Sequence, residues 1–381
     1  MKKINSPNLI RPVFIALLTP LFVMTLLSCS KDEDPLEAPP AVSSTFVSAA
    51  AVIDSMGTGF NLGNTFDYNI QSTNPTSIYP IIDLYFNAGM KHIRIPVTWM
   101  DGFGGNTLAD ANGNINFSHS RFNQLKSVID YAIKKKMFVV LNTHHEHWLN
   151  TNYDGSAPFN TAFTNLWTGI ATHFKDYSHL LIFEVLNEPQ GVFGDWNGGA
   201  SPSSKTALEL TRQINNVGYD AIRKTGGLNS NRVIMVSTNG MGNHSQLDEV
   251  YPSVASLPGG GSDKFLAFQV HTYDPWAFCG ETGRNTSWPG SISIANSLKT
   301  ASNYAKSLKV PVNYGEFGVG RNANASERNT DIVREYYRTM RLTCLNEKMS
   351  PTVWDDRGWF GLVNQNGSAF IYNIVPTMMA R

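Results

Sequence analysis

The chain has 381 residues, of which 42% are hydrophobic and only 16% charged, so it is long enough for one large core and does not have the composition of a disordered protein. Lysine and arginine together number 30, as do aspartate and glutamate. Nucleic-acid binding calls for a basic surface, so this balance argues against nucleic acid as the main partner and fits a neutral one such as a polysaccharide.

The N-terminal residues have the pattern of an export signal. A short basic start precedes an almost wholly apolar run over residues 13–27, and Ser28 and Cys29 follow. The run is shorter than a typical membrane-spanning helix and suits a signal peptide. A small residue before a cysteine resembles the bacterial lipoprotein box, although Leu27 departs from its commonest form. Residues 1–29 are therefore predicted to be a lipoprotein signal peptide with Cys29 as the lipidated residue; a plain secretory signal is the alternative.

Residues 30–45 are predicted to be a flexible linker. They begin with the acidic stretch SKDEDP and continue into a segment rich in proline, alanine and serine, which is typical of tethers rather than of cores. The acidic stretch resembles the export tag of surface lipoproteins in the Bacteroides group, and a solvated linker is the plainer interpretation. The expected location is the cell surface, as an outer-membrane lipoprotein in which a single domain over residues 46–381 meets the membrane only through its lipid.

Short apolar runs alternate with longer amphipathic segments throughout that domain. Continuously apolar runs are typical of buried parallel strands. The predicted strands cover residues 57–64, 92–97, 138–142, 180–186, 233–238, 265–271, 312–316 and 351–354. Clear helical spacing covers residues 121–135, 162–175, 207–224, 292–308 and 331–344. Eight such units in about 330 residues predict an α/β protein with the (β/α)8 architecture of a TIM barrel.

Polar residues occur where the predicted strands end, and two of them are glutamates. Catalytic side chains of such barrels lie at the C-terminal ends of strands. The residues in this position are Asn64, Arg94, His144, Glu188, Asn239, His271, Glu316 and Trp354. Two carboxylates facing one sugar bond are the minimal machinery of glycoside hydrolysis, which makes Glu188 and Glu316 candidates. Either glutamate taken alone can equally well cap a strand or pair with an arginine.

Seven motifs that follow one another across the whole barrel resemble glycoside hydrolase family 5, and most closely its bacterial endo-β-1,4-glucanase (cellulase) branch. They are GFNLGNTFD (59–67), IRIPVTW (93–99), FVVLNTHHEHW (138–148), FEVLNEP (183–189), FQVHTYDPW (268–276), NYGEFG (313–318) and TVWDDRG (352–358). The active-site set shared by that family is matched, with none missing, by Arg94, His144, Asn187, Glu188, His271, Tyr273, Glu316 and Trp354.

The resemblance implies a retaining double displacement in which the acid/base follows strand 4 and the nucleophile follows strand 7. Glu188 is expected to protonate the leaving oxygen and then activate water, which requires a raised pKa. Glu316 is expected to attack the anomeric carbon in its ionised form. Arg94, which is always charged, suits the task of keeping it ionised, and Tyr273 can donate a hydrogen bond to it.

The resemblance also implies contacts around the sugar that is attacked. His271 is expected beside Glu188, and Asn187 at the sugar 2-hydroxyl, a contact that strengthens in the transition state. His144 is expected to bind another hydroxyl of the same sugar, with Trp354 as its apolar floor. The supporting residues of the predicted site are Asn64 and His145.

The histidine-rich run over residues 144–147 looks like a metal cluster, but the sequence predicts no metal and no cofactor. HExxH is absent, and consecutive strand residues point to alternate faces. Several tryptophans lie in or next to the presumed loops, and sugars stack on aromatic faces. Trp148, Trp196 and Trp276 are predicted to line an extended cleft, while about half of the loop tryptophans are expected to be packing residues.

Several questions stay open at this level. The same mechanism can act on xyloglucan, mixed-linkage glucan, mannan or xylan. The motifs are shared among enzymes that act on these glycans, and the loops decide which glycan is preferred. A hypothesis from another functional class is a non-catalytic glycan-binding surface lipoprotein. The presence of both glutamates, Arg94 and Tyr273 argues against it. Endo action rests on the resemblance alone. A monomer is expected, and Cys279 and Cys344 can pair only if their Cα atoms come close enough.

Overall fold

The computed structural model describes residues 46–102 and 107–380, where eight parallel strands close into one barrel in chain order. The strands are β1 (Gly59–Asn61), β2 (His92–Ile95), β3 (Phe138–Asn142), β4 (Leu181–Glu184), β5 (Ile234–Ser237), β6 (Leu266–His271), β7 (Val312–Glu316) and β8 (Ser350–Val353). The predicted (β/α)8 TIM barrel is confirmed; β3 and β7 have the predicted bounds, β8 is shifted by one residue, and the other five strands are shorter than predicted. The predicted signal peptide and linker, with Cys29, lie outside the described residues.

Helices surround the barrel, and the five predicted from spacing are all present. The helices are α1 (Ala49–Met56), α2 (Pro75–Asn87), α3 (Ser120–Lys134), α4 (His147–Asn152), α5 (Ala157–His173), α6 (Lys205–Lys224), α7 (Leu247–Val250), α8 (Trp276–Cys279), α9 (Ser291–Ser307), α10 (Asp331–Asn346) and α11 (Ile374–Met379). Within the described ranges, no helix combines the length and apolar character that crossing a membrane requires.

The strands place alternate side chains outward and inward. The outward set, which includes Ile93, Leu141 and Phe183, is buried in the main hydrophobic core together with residues of the surrounding helices. At the N-terminal end of the barrel, the inward side chains of four consecutive strands form a separate apolar cluster with α1. This basal layer consists of Val140, Ile182, Met235 and Ala267. It is closed from below by α1, whose Ser48 cap accepts a hydrogen bond from Ala51 N at 3.4 Å.

Two residues further along β3, β4 and β6, the interior becomes polar, and polar side chains from β1, β2 and β7 join it. This polar layer consists of Asn61, Arg94, Asn142, Glu184, Gln269 and Glu316, all of them buried. Strand register aligns Asn61 with Arg94 and Asn142 with Glu184. The register between β6 and β7 shifts next to Val270, which brings His271 level with Glu316. Barrel closure thus gathers residues from distant parts of the chain at the C-terminal ends of the strands.

Candidate active site

Arg94 is the centre of the polar layer. It is fully buried and donates five hydrogen bonds, to Glu184, Glu316, Asn61 and Asn187. Its Nε and Nη2 bind the two oxygens of Glu184, each at 2.7 Å, and its Nη1 binds Glu316 Oε1 at 2.7 Å. Burial works to lower the pKa of Arg94, but the two carboxylates outweigh it and raise that pKa, so the guanidinium is charged.

Glu316, at the end of β7, is held through both oxygens. Its Oε1 accepts from Arg94, and its Oε2 accepts from Tyr273 Oη at 3.0 Å. Burial raises its pKa above the ordinary value, while His271 and Arg94 act in the opposite direction. Two donors aimed at the charged form are the arrangement that keeps a buried carboxylate ionised.

Glu188 follows β4 in different surroundings. Its backbone is left-handed, with φ of 40°, and 21% of its side chain stays exposed. Its Oε1 lies 2.8 Å from His271 Nδ1, and Arg94 makes no direct contact with it among the described contacts. Loss of solvation raises the pKa of Glu188 to about 7. Such a carboxyl can carry a proton near neutral pH and still reach a substrate.

His271 stands between the two glutamates. Its Nε2 lies 3.8 Å from Glu316 Oε1, and one oxygen of each glutamate lies within 4.8 Å of the other. Burial lowers the pKa of His271 to about 4, so the ring is neutral. Because Gln269 Nε2 contacts the ring Nε2 as a donor, the ring proton is assigned to Nδ1 and donated to Glu188. This closeness fits a retaining glycosidase, whose carboxyl groups are about 5 to 5.5 Å apart, better than an inverting one, whose carboxyl groups are about 6.5 to 9.5 Å apart.

A polar and aromatic wall lies beside the carboxyl pair. Asn187 Oδ1 accepts from Arg94 at 2.6 Å, which orients its amide. The His144 ring lies parallel to that of Trp354, with centroids 6.0 Å apart, and its Nδ1 is 3.1 Å from Asn142 Nδ2. Burial lowers the pKa of His144 well below its ordinary value, so this ring too is neutral. Trp354 is held against Gly63, where a Cβ would come within 2.9 Å of the indole.

Asn64 and His145 have more local surroundings. The Asn64 side chain donates to Asp356 O at 3.5 Å, and its backbone N–H donates to Asp67 Oδ2 at 3.1 Å, so its contacts join the loops after β1 and β8. The His145 ring lies edge-on to His144 at 4.4 Å. His145 thus lies next to His144, and Asn64 lies in the loop after β1.

The three tryptophans predicted to line a cleft differ in exposure. Trp196 is 52% exposed and donates from Nε1 to Gly240 O at 2.9 Å, and Trp276 is 50% exposed and lies edge-on to Tyr273 at 6.2 Å. Trp148 is half-buried, donates to Glu146 at 2.9 Å and stacks on Phe159, so it packs within its loop. Anchored, exposed indoles have the form of sugar platforms.

Sequence reasoning missed Glu184 and Gln269. Both lie inside apolar strand runs, and a charged residue within such a run, as in FEVLNEP, was the available signal. Cys279 and Cys344, whose pairing the sequence left open, are both buried free thiols.

Two clusters of described residues bring possible metal ligands within 4.8 Å of one another: Asp67, His144 and His145, and Glu188, His271 and Glu316. The second cluster is made of the carboxyl pair and its histidine, and its arrangement is accounted for by the hydrogen bond between His271 and Glu188 and by those of Arg94 and Tyr273 to Glu316. The absence of a metal stays a prediction of the sequence.

A (β/α)8 barrel with an acid and a charged carboxylate paired at its C-terminal face is the architecture of a retaining glycoside hydrolase. Comparison with known proteins agrees, since residues 53–356 match the model of cellulase, glycosyl hydrolase family 5. The chain belongs to glycosyl hydrolase family 5.

Its relatives are bacterial endoglucanases. The chain is 32% identical to endoglucanase A of Clostridium longisporum over 93% of its own length and 69% of the relative's. It is 28% identical to endoglucanase A of Ruminococcus albus, covering 84% and 86%. Among solved structures, a broad-specificity endoglucanase from Clostridium acetobutylicum superposes with a TM-score of 0.74 at 26% identity, covering 88% and 100%. A broad-specificity endoglucanase from Ruminococcus champanellensis with bound cellotriose superposes with a TM-score of 0.70 at 25% identity, covering 89% of this chain and 100% of that chain.

Proposed function

We propose that this protein hydrolyses internal β-1,4 bonds of cellulose-like or mixed-linkage glucans with retention, using Glu188 as acid/base and Glu316 as nucleophile. The observation that carries the proposal is the unlike setting of two neighbouring carboxyls. Glu316 accepts hydrogen bonds from Arg94 and Tyr273, two donors that favour its charged form against the effect of burial, whereas Glu188 lies beside a neutral histidine with a pKa raised to about 7. A nucleophile and an acid must differ in this way.

The reaction then takes two steps. In the first, Glu316 attacks the anomeric carbon and Glu188 gives its proton to the departing glycosidic oxygen, which leaves a glycosyl ester on Glu316. In the second, Glu188 takes a proton from a water molecule while the water oxygen attacks the same carbon. The ester bond breaks, and Glu316 leaves as a carboxylate. His271 keeps Glu188 oriented through Nδ1 in both steps.

The wall beside the carboxyls binds the sugar that is attacked. With its Oδ1 occupied by Arg94, Asn187 presents its amide N–H groups to the 2-hydroxyl. The neutral His144 binds a further hydroxyl, and the parallel Trp354 forms an apolar floor. The exposed Trp196 and Trp276 support further sugars of the chain, while Asn64, His145 and Trp148 hold the loops. The partner is a β-glucan chain, the enzyme acts as a monomer, and no cofactor takes part.

A second candidate is the same chemistry on a branched glucan such as xyloglucan. The observation in its favour is a cavity of about 480 Å³ in the loops after β3 and β4, whose lining includes Asn150, Gln190 and Asp195. Gln190 lies two residues after Glu188, so the polar side chains of this cavity are candidates to bind a sugar that branches from the main chain. Several structurally similar endoglucanases are described as having broad specificity. Mannan and xylan remain further alternatives, and a non-catalytic glycan-binding role is the alternative from another class.

Product analysis of the purified protein distinguishes these substrates. The panel is carboxymethyl cellulose, mixed-linkage β-glucan, xyloglucan, mannan and xylan, with the anomeric configuration of the first product followed by NMR. We expect internal cleavage of glucans and products of β configuration. Products of α configuration would contradict retention, and binding without any cleavage on the whole panel would favour the non-catalytic alternative.

The N-terminal pattern supports an outer-membrane lipoprotein, anchored through Cys29, with residues 1–29 as signal peptide, 30–45 as linker and 46–381 as catalytic domain. Cys29→Ser expressed in a related bacterium should move the enzyme from the membrane fraction to the soluble fractions while its glucanase activity persists. If the variant stays in the membrane fraction as fully as the parent, the anchor is not Cys29. Protease added to whole cells should remove the domain if it faces outward.

A further inference from the structure

Glu184 is a carboxylate at the centre of the barrel to which the two-step reaction assigns no part. Its side chain is fully buried, and so is that of Arg94, with which it forms a two-pronged ion pair. Its Oε1 also accepts from Asn142 Nδ2 at 3.0 Å. Taking two charges out of water is costly, so such a pair is poor support for a purely stabilising role.

The geometry shows what the pair does to Arg94. The guanidinium is a planar fork that binds a carboxylate best with two parallel bonds. Glu184 accepts hydrogen bonds from Nε and Nη2 of Arg94 and so occupies the fork. Only Nη1 of Arg94 reaches Glu316, with one hydrogen bond of 2.7 Å. Without Glu184 the fork would be available to Glu316, which would then be held by two bonds and neutralised more completely. A carboxylate held in that way is a weaker nucleophile.

We propose that Glu184 is a positioning residue, which occupies the Arg94 fork so that Arg94 gives the nucleophile Glu316 a single hydrogen bond. This inference rests on the proposed function. Glu184 also balances the charge of Arg94, so its loss would let that charge act more fully on both reacting glutamates.

The other side chains around the two reacting glutamates do not balance the charge of Arg94, because they are neutral. Among the described residues, the charged and titratable side chains that act on the two reacting glutamates are Arg94, Glu184, His271, Tyr273 and Tyr68, and His144 lies beside Arg94 and His271. Burial lowers the pKa of His144 and His271, so both are neutral, and it raises those of Tyr68 and Tyr273. Arg94 and Glu184 therefore remain as the fixed charges of this set. Arg94 lowers the pKa of Glu188, and Glu184 raises it.

The test compares Glu184→Gln with Glu184→Asp and with Ile182→Val in the full-length protein. Ile182 lies two residues earlier on the same inward face and serves as a control for interior destabilisation. The measurement is kcat/KM against pH on an aryl cellobioside, with Tm recorded for each variant. For Glu184→Gln we expect kcat/KM to fall at least tenfold, mainly in kcat, and both limbs of the pH profile to move to lower pH. Glu184→Asp keeps the charge and should keep both limbs in place, with a lower kcat.

Two results would overturn the proposal. One is a Glu184→Gln profile with unmoved limbs and a loss no greater than that of Ile182→Val at matched Tm. The other, decisive if Glu184→Gln does not fold, is a Glu184→Asp variant whose limbs move to lower pH although the charge is kept. An unaltered parent that cleaves no glucan would contradict the proposed function itself, whereas an active parent with unmoved limbs in Glu184→Gln would contradict only the role of Glu184.

Discussion

On β3, β4 and β6, the basal layer and the polar layer of the barrel interior lie two residues apart, yet they have opposite chemical character. Ile182 precedes Glu184 on β4 and Val140 precedes Asn142 on β3, yet the first of each pair joins an apolar cluster and the second a hydrogen-bonded site. Burial of apolar side chains stabilises the fold, whereas burial of charge costs solvation energy. Packing of the basal layer and the surrounding core therefore offsets the solvation energy that the charged groups of the polar layer lose on burial.

The largest expected effect is that of Glu316→Ala. Removal of the nucleophile should lower kcat at least about 10⁴-fold on every substrate, because no other carboxylate is held in its charged form beside the anomeric carbon. Thermal unfolding should change little, since Arg94 keeps its pair with Glu184. The measurements are kcat on an aryl cellobioside and Tm. Substantial remaining turnover would contradict the assignment.

Glu188→Ala should follow, with a loss on polymer of about 10²- to 10⁴-fold, the usual contribution of general acid–base catalysis. The loss in the glycosylation step should be least on aryl glycosides with good leaving groups, because these need no proton from the enzyme. Pre-steady-state bursts on such substrates measure that step. Equal losses on polymer and on the activated substrate would show that Glu188 is not the acid.

The pH dependence should be a smaller effect of the same residue. Because Glu188 must be protonated, kcat/KM should fall about tenfold per pH unit above its pKa of about 7. The raised pKa means that the folded protein binds this proton more tightly than the unfolded chain. The associated stability is fully present below the ordinary pKa of a glutamate and is lost as pH rises through about 7. Glu188→Gln should remove this part of the slope of Tm against pH; an unchanged slope would contradict the assignment.

The smallest effect on activity should come from the basal layer. Ile182→Ala removes buried atoms where α1 packs, so the free energy of unfolding should fall by about 2 to 5 kcal/mol. At a temperature where the variant is folded, kcat and KM should stay within about twofold of the parent, because the polar layer keeps its own hydrogen bonds. Denaturant unfolding and steady-state kinetics check both statements. A large loss of kcat in the folded variant would show that the layers are coupled.

Much of the site was accessible before the structure because each strand-end motif is local. FEVLNEP and NYGEFG each carry a glutamate just past an apolar run, and barrel topology requires such ends to meet at one face. Glu184 was not predicted because it lies within an apolar run and not at its end. Both faces of such a strand are buried, so its residues show no alternating pattern that would single out an inward side chain. The exposure of individual tryptophans could not be predicted because it depends on contacts between loops. Trp148 and Trp196 both follow strands, yet Trp148 packs on Phe159 and Trp196 on Gly240.

Local patterns along the chain are sufficient to predict the order of strands and helices, the barrel class and the strand-end residues, because apolar runs, helical spacing and short motifs depend on sequence neighbours. The division of the Arg94 hydrogen bonds between Glu184 and Glu316, and the place of His271 between two glutamates, depend on the folded barrel. These contacts join β2, β4, β6 and β7 across a closed barrel. Such distances are set by strand register and closure, which no local pattern encodes.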